Sequence, residues 1–125
     1  MLRACRKLLK PGGRLACATI YIDPSASDRD YRRAARVRGP GSATRRAMTE
    51  LLEGAGFVGV RERDVTTAFL RTARAYVDTS AQFRDELLAA WGDELFADRL
   101  RDRTATLELI ETGVLRRGIF AARRP

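Results

Sequence analysis

The sequence predicts an α/β fold in which three strands are separated by helical segments. Residues 14–22 and 114–122 are short runs rich in apolar and strand-forming side chains, which is typical of strands. Residues 66–113 instead repeat apolar side chains every third or fourth position, as amphipathic helices do. With 125 residues, the chain has room for one small domain or for a piece of a larger one.

The first helix is expected to end at about Lys10. One face of this helix collects the apolar side chains Leu2, Cys5, Leu8 and Leu9. Pro11 cannot continue the helix, and Gly12-Gly13 permits a sharp reversal. The run that follows, residues 14–22, is apolar at almost every position, which predicts an interior strand covered on both faces.

Residues 23–41 are polar and interrupted by proline and glycine, so we predict a long loop with at most a helical turn at residues 31–36. A helix follows, capped by Ser42 or Thr44, and Gly56 ends it. Its expected inner face consists of Met48, Leu51, Leu52 and Ala55. Residues 57–65 then predict a second, more polar strand nearer a sheet edge.

The helical region 66–113 is predicted to contain several helices. Thr66 is the expected cap of the first, and Thr79 has capping-box spacing to Gln82 for the second. Gly92 breaks the pattern, and a last helix runs to Gly113. The apolar stripe of that helix is Phe96, Leu100, Leu107 and Ile110.

Charge and residue usage restrict the chemistry. The chain has no histidine and only two cysteines, so we predict no metal site and no disulfide framework. The net charge of +8 comes from residues 1–46, which hold twelve basic and three acidic residues. A basic patch of this kind could bind a polyanion. Without a recognisable nucleic-acid-binding motif, however, a basic cluster is weak evidence for nucleic-acid binding, and nucleic acid is not the expected partner.

The segment Leu9-Lys10-Pro11-Gly12-Gly13-Arg14-Leu15 resembles the one that precedes the fifth strand of class I S-adenosylmethionine-dependent methyltransferases. Three later features match the same family in order. These are the helix end Leu51-Leu52-Glu53-Gly54-Ala55-Gly56-Phe57, the strand it feeds, and a closing strand. The resemblance covers essentially all of residues 1–125.

The resemblance implies the carboxyl-terminal half of a Rossmann-like methyltransferase fold. Residues 14–22, 57–65 and 114–122 would form a three-stranded mixed sheet with flanking helices, the last strand lying antiparallel between the other two. Residues 66–113 would be a lid-like helical insertion in this partial domain. The family's glycine-rich turn and acidic ribose-binding residue belong to its first half, so no residue here is assigned to S-adenosylmethionine, and the chain alone is not expected to bind it.

Ligands in open α/β sheets lie beyond the carboxyl ends of parallel strands, and this predicts the substrate-binding residues. Tyr21 ends the first strand and Thr19 precedes it by two positions. Tyr31 lies in the segment after that strand, and Arg103 interrupts the apolar stripe of the last helix. Each has an alternative interpretation: the first three as packing residues, and Arg103 as an arginine whose stem lies along apolar surface. No general base is assigned.

These observations predict the carboxyl-terminal portion of a methyltransferase acting on a small molecule, inactive without its donor-binding half. That half would be the partner, either in the same gene or as a complementary chain. The alternative is a basic, non-enzymatic module that binds nucleic acid or another protein. The longest apolar run is too short to span a bilayer and no secretory signal is recognisable, so a cytoplasmic location is expected.

Overall fold

The computed structural model describes residues 1–39 and 44–125; the predicted cap Ser42 lies outside the described residues. Six helices and three strands are formed in this part of the chain. In chain order they are α1 (Leu2–Leu8), β1 (Arg14–Ile22), α2 (Asp28–Arg38), α3 (Met48–Gly54), β2 (Val58–Asp64), α4 (Thr66–Gln82), α5 (Arg84–Trp91), α6 (Asp93–Glu111) and β3 (Leu115–Arg123).

The three strands form one sheet in the order β1-β3-β2. β3 is antiparallel to both neighbours, with Leu15 opposite Ala122 on one side and Glu62 opposite Phe120 on the other. β1 and β2 therefore point in the same direction, and their carboxyl ends meet at one edge of the sheet. The α/β class and the central position of the closing strand are as predicted.

Each face of the sheet carries its own apolar core because side chains alternate along the strands. Under α1 and α3, the core contains Leu52, Phe57, Phe120 and Ala122. Under α2, α4 and α6, it contains Ile22, Ala34, Phe69, Ala73, Leu109, Ile110, Val114 and Leu115. The helices between β2 and β3 thus cover the sheet face opposite α1 and α3.

β1 lies at the edge of this sheet and is incompletely covered. Its only strand partner among the described residues is β3, and Ala16 and Ala18 are exposed. An apolar strand with one unpaired edge is the arrangement expected of a partial domain, whereas an interior strand would have neighbours on both sides. The edge position of β1 agrees with the three-stranded order that the resemblance implies, whereas the expected covering of both faces is incomplete because Ala16 and Ala18 are exposed.

The segment after β1 is more regular than predicted: Asp28–Arg38 is an eleven-residue helix rather than a loop with one turn. Ser27 caps it, accepting a hydrogen bond from the Asp30 amide at 3.1 Å and donating one to the Asp30 carboxylate at 2.8 Å. Acidic residues in the first turn and arginines in the last suit the helix dipole. Its few apolar side chains, with Ala34 fully buried, are enough to dock it on α6 and β1.

Several predicted helix ends differ from those observed. α4 begins at Thr66 after Val65, and α3 begins at Met48 after Ala47, so neither Thr66 nor Thr44 is a cap residue. Thr79 lies inside α4, which continues to Gln82. The break at Gly92 is confirmed, since Gly92 separates α5 from α6 with a φ of 81° that favours glycine.

α1 is held to the sheet from its ends more than by its predicted apolar face. Leu2 and Leu9 pack against the core, but Leu8 is 87% exposed. The guanidinium of Arg124, just after β3, donates hydrogen bonds to the last carbonyls of α1, including that of Arg6 at 3.1 Å. A cation at a helix carboxyl terminus satisfies carbonyls that have no partner within the helix.

Candidate functional site

The carboxyl ends of β1 and β2 are joined by one arginine. Arg116, the second residue of β3, donates to the carboxylate of Asp23 at 3.3 Å and to that of Asp64. These two aspartates follow β1 and end β2, so a single guanidinium spans the edge of the sheet. A cleft of about 450 Å³ opens here, and Tyr21, Glu62 and Met48 contribute to its walls.

The carboxylates in this cleft are already committed to partners within the chain. Hydrogen bonds from the Thr66 hydroxyl and amide, together with Arg116, lower the pKa of Asp64 to about 2. Hydrogen bonds from Ser25 and Arg116 also lower the pKa of Asp23, against the effect of burial. Both groups are therefore anionic at neutral pH, and their main role is to hold the two strand ends together.

Tyr21 lines the same cleft, as expected for a residue at the end of β1. Its hydroxyl donates to Glu62 at 2.7 Å, and burial with this carboxylate nearby raises the pKa of Tyr21 to about 12. Its ring packs edge-on against Phe120, with the ring centroids 6.1 Å apart. Tyr21 is therefore protonated at neutral pH. Thr19, on the same face of β1, lies opposite Gly118 and is half-buried, but it does not line the cleft.

Arg103 lies on the other side of the sheet, where α6 faces α4. Its Nη1 donates to the hydroxyl of Ser80 at 2.7 Å. The guanidinium carbon is 5.2 Å from the ring centroid of Tyr76 and 5.9 Å from that of Trp91. The guanidinium of Arg103 therefore lies beside two aromatic rings and a hydroxyl, and the residue lines a cavity.

Two further arginines line that cavity, which has a volume of about 560 Å³. Arg38 comes from the last turn of α2, Arg117 from β3, and Arg103 from α6. Within residues 1–39 and 44–125, none of the three forms an ion pair, and Nε of Arg38 is buried without a hydrogen-bond partner. The one acidic residue on the wall, Asp102, is exposed. This arginine-lined cavity carries an excess of positive charge.

The sequence singles out Arg103 but not Arg117, which follows another arginine in a strand. Arg38 ends the run Arg29 to Arg38, which has the same two interpretations as Arg103, a contact to a substrate anion or a solvated segment, with the solvated loop favoured. Nothing local distinguishes these two from the other arginines of the chain. Their common property, an unpaired guanidinium beside the same cavity, depends on contacts between α2, α6 and β3.

Tyr31 packs on the same side of the sheet as Arg103 but does not line either cavity. The guanidinium carbon of Arg45 lies 4.2 Å from its ring centroid, and its ring borders the core of α2 and α6. The four predicted substrate-binding residues are thus not brought together: Thr19 and Tyr21 share one face of β1, and Tyr31 and Arg103 occupy separate places on the other side. Their binding role stays a prediction.

The turns after β1 and β2 do not have the sequence of a nucleotide-binding turn. A phosphate- or nucleotide-binding turn connects a strand to the amino terminus of a helix and uses glycine for close approach. Here the turns after β1 and β2 contain no glycine, and their carboxylates bond to Ser25 and Thr66. The glycine spacing of the dinucleotide-binding pattern G-x-G-x-x-G does occur, in residues 54–59. That pattern requires a strand followed by a helix, whereas these residues lead from the helix α3 into the strand β2.

Two classes of site lack support in the part of the chain that the structure describes. No three histidine, cysteine or carboxylate side chains are grouped as metal ligands would be. No helix there is both long and apolar enough to cross a membrane.

The relatives found by sequence comparison are phosphoethanolamine N-methyltransferases. The chain is 27% identical to phosphoethanolamine N-methyltransferase of Triticum aestivum over 120 residues and 27% identical to phosphoethanolamine N-methyltransferase 1 of Zea mays over 116 residues. These alignments cover 96% and 93% of the chain but only 24% and 23% of the relatives, so the chain spans about a quarter of their length. No family model matches the chain.

Solved structures show the same fold at lower identity. Phosphoethanolamine N-methyltransferase 2 of Haemonchus contortus, in complex with phosphomonomethylethanolamine and S-adenosylhomocysteine, superposes with a TM-score of 0.83 at 16% identity over 99% of the chain and 29% of that protein. A sarcosine dimethylglycine methyltransferase from Galdieria sulphuraria, described as putative, gives 0.81 at 17% identity, covering 98% of this chain and 46% of that one.

The sheet order, the helices on both faces and these superpositions show that the chain has part of the fold of these methyltransferases. The homologues found by sequence are phosphoethanolamine N-methyltransferases. The chain corresponds to only a portion of each. The resemblance carried by residues 9–15 and 51–57 is thereby confirmed.

Proposed function

We propose that these residues form the acceptor-binding portion of an S-adenosylmethionine-dependent methyltransferase whose small-molecule substrate carries a phosphate or carboxylate. The arginine-lined cavity is the observation that carries this proposal. Three arginines that form no ion pair among the described residues line one space, and the buried Nε of Arg38, which has no acceptor there, costs stability unless a ligand satisfies it. An anion is the ligand that matches all of these donors.

The walls of the cavity also suit a small organic anion. Ile20, Val37 and Phe69 supply apolar surface between the arginines, and Tyr76 and Thr106 supply hydroxyls. Its volume of about 560 Å³ falls within the usual range of small-molecule sites. Phosphoethanolamine, the compound in the names of the sequence relatives, combines a phosphate with a short amine and has this chemistry.

The work of these residues in methyl transfer is to hold and orient the acceptor. S-adenosylmethionine supplies an activated methyl group, so the reaction depends chiefly on placing the acceptor atom in line with it. Bidentate contacts from Arg38, Arg103 and Arg117 to the anionic end would fix the orientation of the acceptor. No group is assigned as a general base, because the pKa values of Asp23 and Tyr21 are shifted away from neutrality.

We further propose that the methyl donor is bound by a separate portion of the domain that pairs with β1. Two observations support this. β1 has an unpaired edge and exposed alanines at Ala16 and Ala18, and the relatives that match the chain extend well beyond it. The chain alone would then bind acceptor weakly and transfer no methyl group.

The proposal is tested by titrating the chain with phosphoethanolamine and with inorganic phosphate. Trp91 is the only tryptophan and lies beside Arg103, so its indole N–H resonance reports binding in a single NMR signal. We expect saturable shifts with both compounds. Arg38→Gln and Arg117→Gln should each weaken binding about tenfold or more, the loss typical of one charge-assisted hydrogen bond.

Arg101→Gln is the matched control. Arg101 lies on the same helix as Arg103, is 72% exposed on its side chain and pairs only with Asp98 one turn away. It should leave the affinity unchanged. Absence of any saturable shift, or equal losses in Arg38→Gln and Arg101→Gln, would contradict an anion site in this cavity.

A further inference from the structure

We infer that Ser80 is a positioning residue that holds Arg103 toward the arginine-lined cavity. This inference rests on the proposed anion site. Ser80 is 2% exposed, and it is the one buried polar or charged side chain in the described core. It lies on α4, whereas Arg103 lies on α6, so the contact joins two helices of the insertion.

The hydroxyl of Ser80 donates one hydrogen bond and accepts another. It donates to the carbonyl of Tyr76, one turn earlier on α4, at 2.7 Å. With its proton engaged there, the oxygen is free to accept from Arg103 Nη1, also at 2.7 Å. A buried hydroxyl that uses both its donor and an acceptor position is oriented by the helix backbone. Arg103 therefore meets an acceptor in a fixed place.

The remaining neighbours of Arg103 hold it without neutralising it. The rings of Tyr76 and Trp91 lie near the guanidinium, at 5.2 Å and 5.9 Å, and attract a cation through their faces. A carboxylate in the place of Ser80 would form an ion pair and remove the charge available to a ligand. Among the described residues, Ser80 is the only hydrogen-bond acceptor of the Arg103 guanidinium, which leaves its other donors for an anion in the cavity.

A double-mutant cycle on the full 125-residue chain separates positioning from general stability. Phosphoethanolamine affinity is measured from the Trp91 indole resonance in wild type, Ser80→Ala, Arg103→Gln and the double variant. We expect Ser80→Ala to weaken binding about threefold to tenfold in wild type and less than about twofold when Arg103 is already replaced, as coupled neighbours do. Ser80→Thr, which keeps the hydroxyl, should restore most of the affinity.

Thermal unfolding of the same four proteins gives the second readout. If Ser80 serves stability alone, Ser80→Ala will lower Tm but leave affinity unchanged, or will weaken binding equally in both backgrounds; either result overturns the inference. The proposed anion site is judged separately: it fails if wild type shows no saturable binding or if Arg38→Gln and Arg101→Gln lose affinity equally. Ser80→Val, which has the shape of threonine without its hydroxyl, controls for disturbed packing: like Ser80→Ala, it should not restore affinity.

Discussion

The guanidinium of Arg116 bonds to the carboxylate of Asp64, and so ties the beginning of β3 to the end of β2. The same guanidinium reaches Asp23 after β1. β1 and β2 are not paired with each other, so backbone hydrogen bonds do not join their carboxyl ends directly. The network of Arg116, Asp23 and Asp64 joins these ends and so sets the distance between the two segments that leave the sheet there. One segment leads to α2 and the other to α4.

Acid should weaken the fold through Asp64. Its folded pKa of about 2 lies below the ordinary value of 3.8, so its contribution to stability is present above pH 4 and is lost as the pH falls toward 2. Because the pair is partly exposed, Asp64→Asn should cost only about 0.5–1 kcal/mol at pH 7. Urea unfolding at pH 7 and at pH 2.5 measures the difference between wild type and variant, which should shrink in acid. A difference that grows in acid would contradict the assignment.

The core beneath α3 should depend on Leu52. This side chain is fully buried against Phe57 and Phe120, and Leu52→Ala leaves a cavity that the neighbouring side chains cannot fill. We expect a loss of about 2–5 kcal/mol in the free energy of unfolding, measured by urea denaturation. Leu8→Ala is the matched control, because Leu8 is 87% exposed. It should change stability by less than about 0.5 kcal/mol.

The unpaired edge of β1 should promote self-association at high concentration. Exposed, apolar edge strands accept further strands, and charged residues placed on them prevent this. Ala18→Lys should therefore reduce association in sedimentation velocity with little change in Tm, since Ala18 is exposed. Ala90→Lys adds the same charge at an exposed position of α5 and should not reduce it. Equal effects of the two variants would point to net charge rather than to the strand edge.

S-adenosylmethionine should bind the chain poorly. The strand-to-helix turns have no glycine, and their carboxylates are engaged with Ser25 and Thr66. Calorimetry should show no affinity tighter than about 1 mM, which corresponds to roughly 4 kcal/mol. Micromolar binding would mean that the chain holds its own donor site, and the proposed division of the domain would be wrong.

Generic duplex DNA should also bind weakly, despite the net charge of +8. Several arginines of the basic first third are paired within the chain: Arg6 donates to the Gly56 carbonyl, Arg33 pairs with Glu108, and Arg45 with Asp28. At physiological salt we expect a Kd no tighter than roughly 10 µM in fluorescence anisotropy. Tighter binding with a steep loss on added salt would favour the alternative of a basic, non-enzymatic module.

Local patterns were sufficient for most of the secondary structure. Pro11 with Gly12 ended the first helix region, and the apolar runs marked β1 and β3, because these signals act within a few residues. The sequence does not predict α2 because its composition is that of a solvated loop: five of its eleven residues are arginines, and only four side chains pack against the core. The burial of Ala34 where α2 packs on α6 stabilises this helix, which its local sequence does not predict.

The sequence by itself determined the α/β class, the order of the elements and the resemblance to methyltransferases, since each follows from short-range periodicity and contiguous motifs. Only the tertiary structure decided which arginines matter. Arg38, Arg103 and Arg117 come from three different elements, with Arg38 far from the other two in the chain, and folding brings them to one cavity where none is ion-paired among the described residues. Convergence of this kind depends on long-range contacts, which no local pattern encodes.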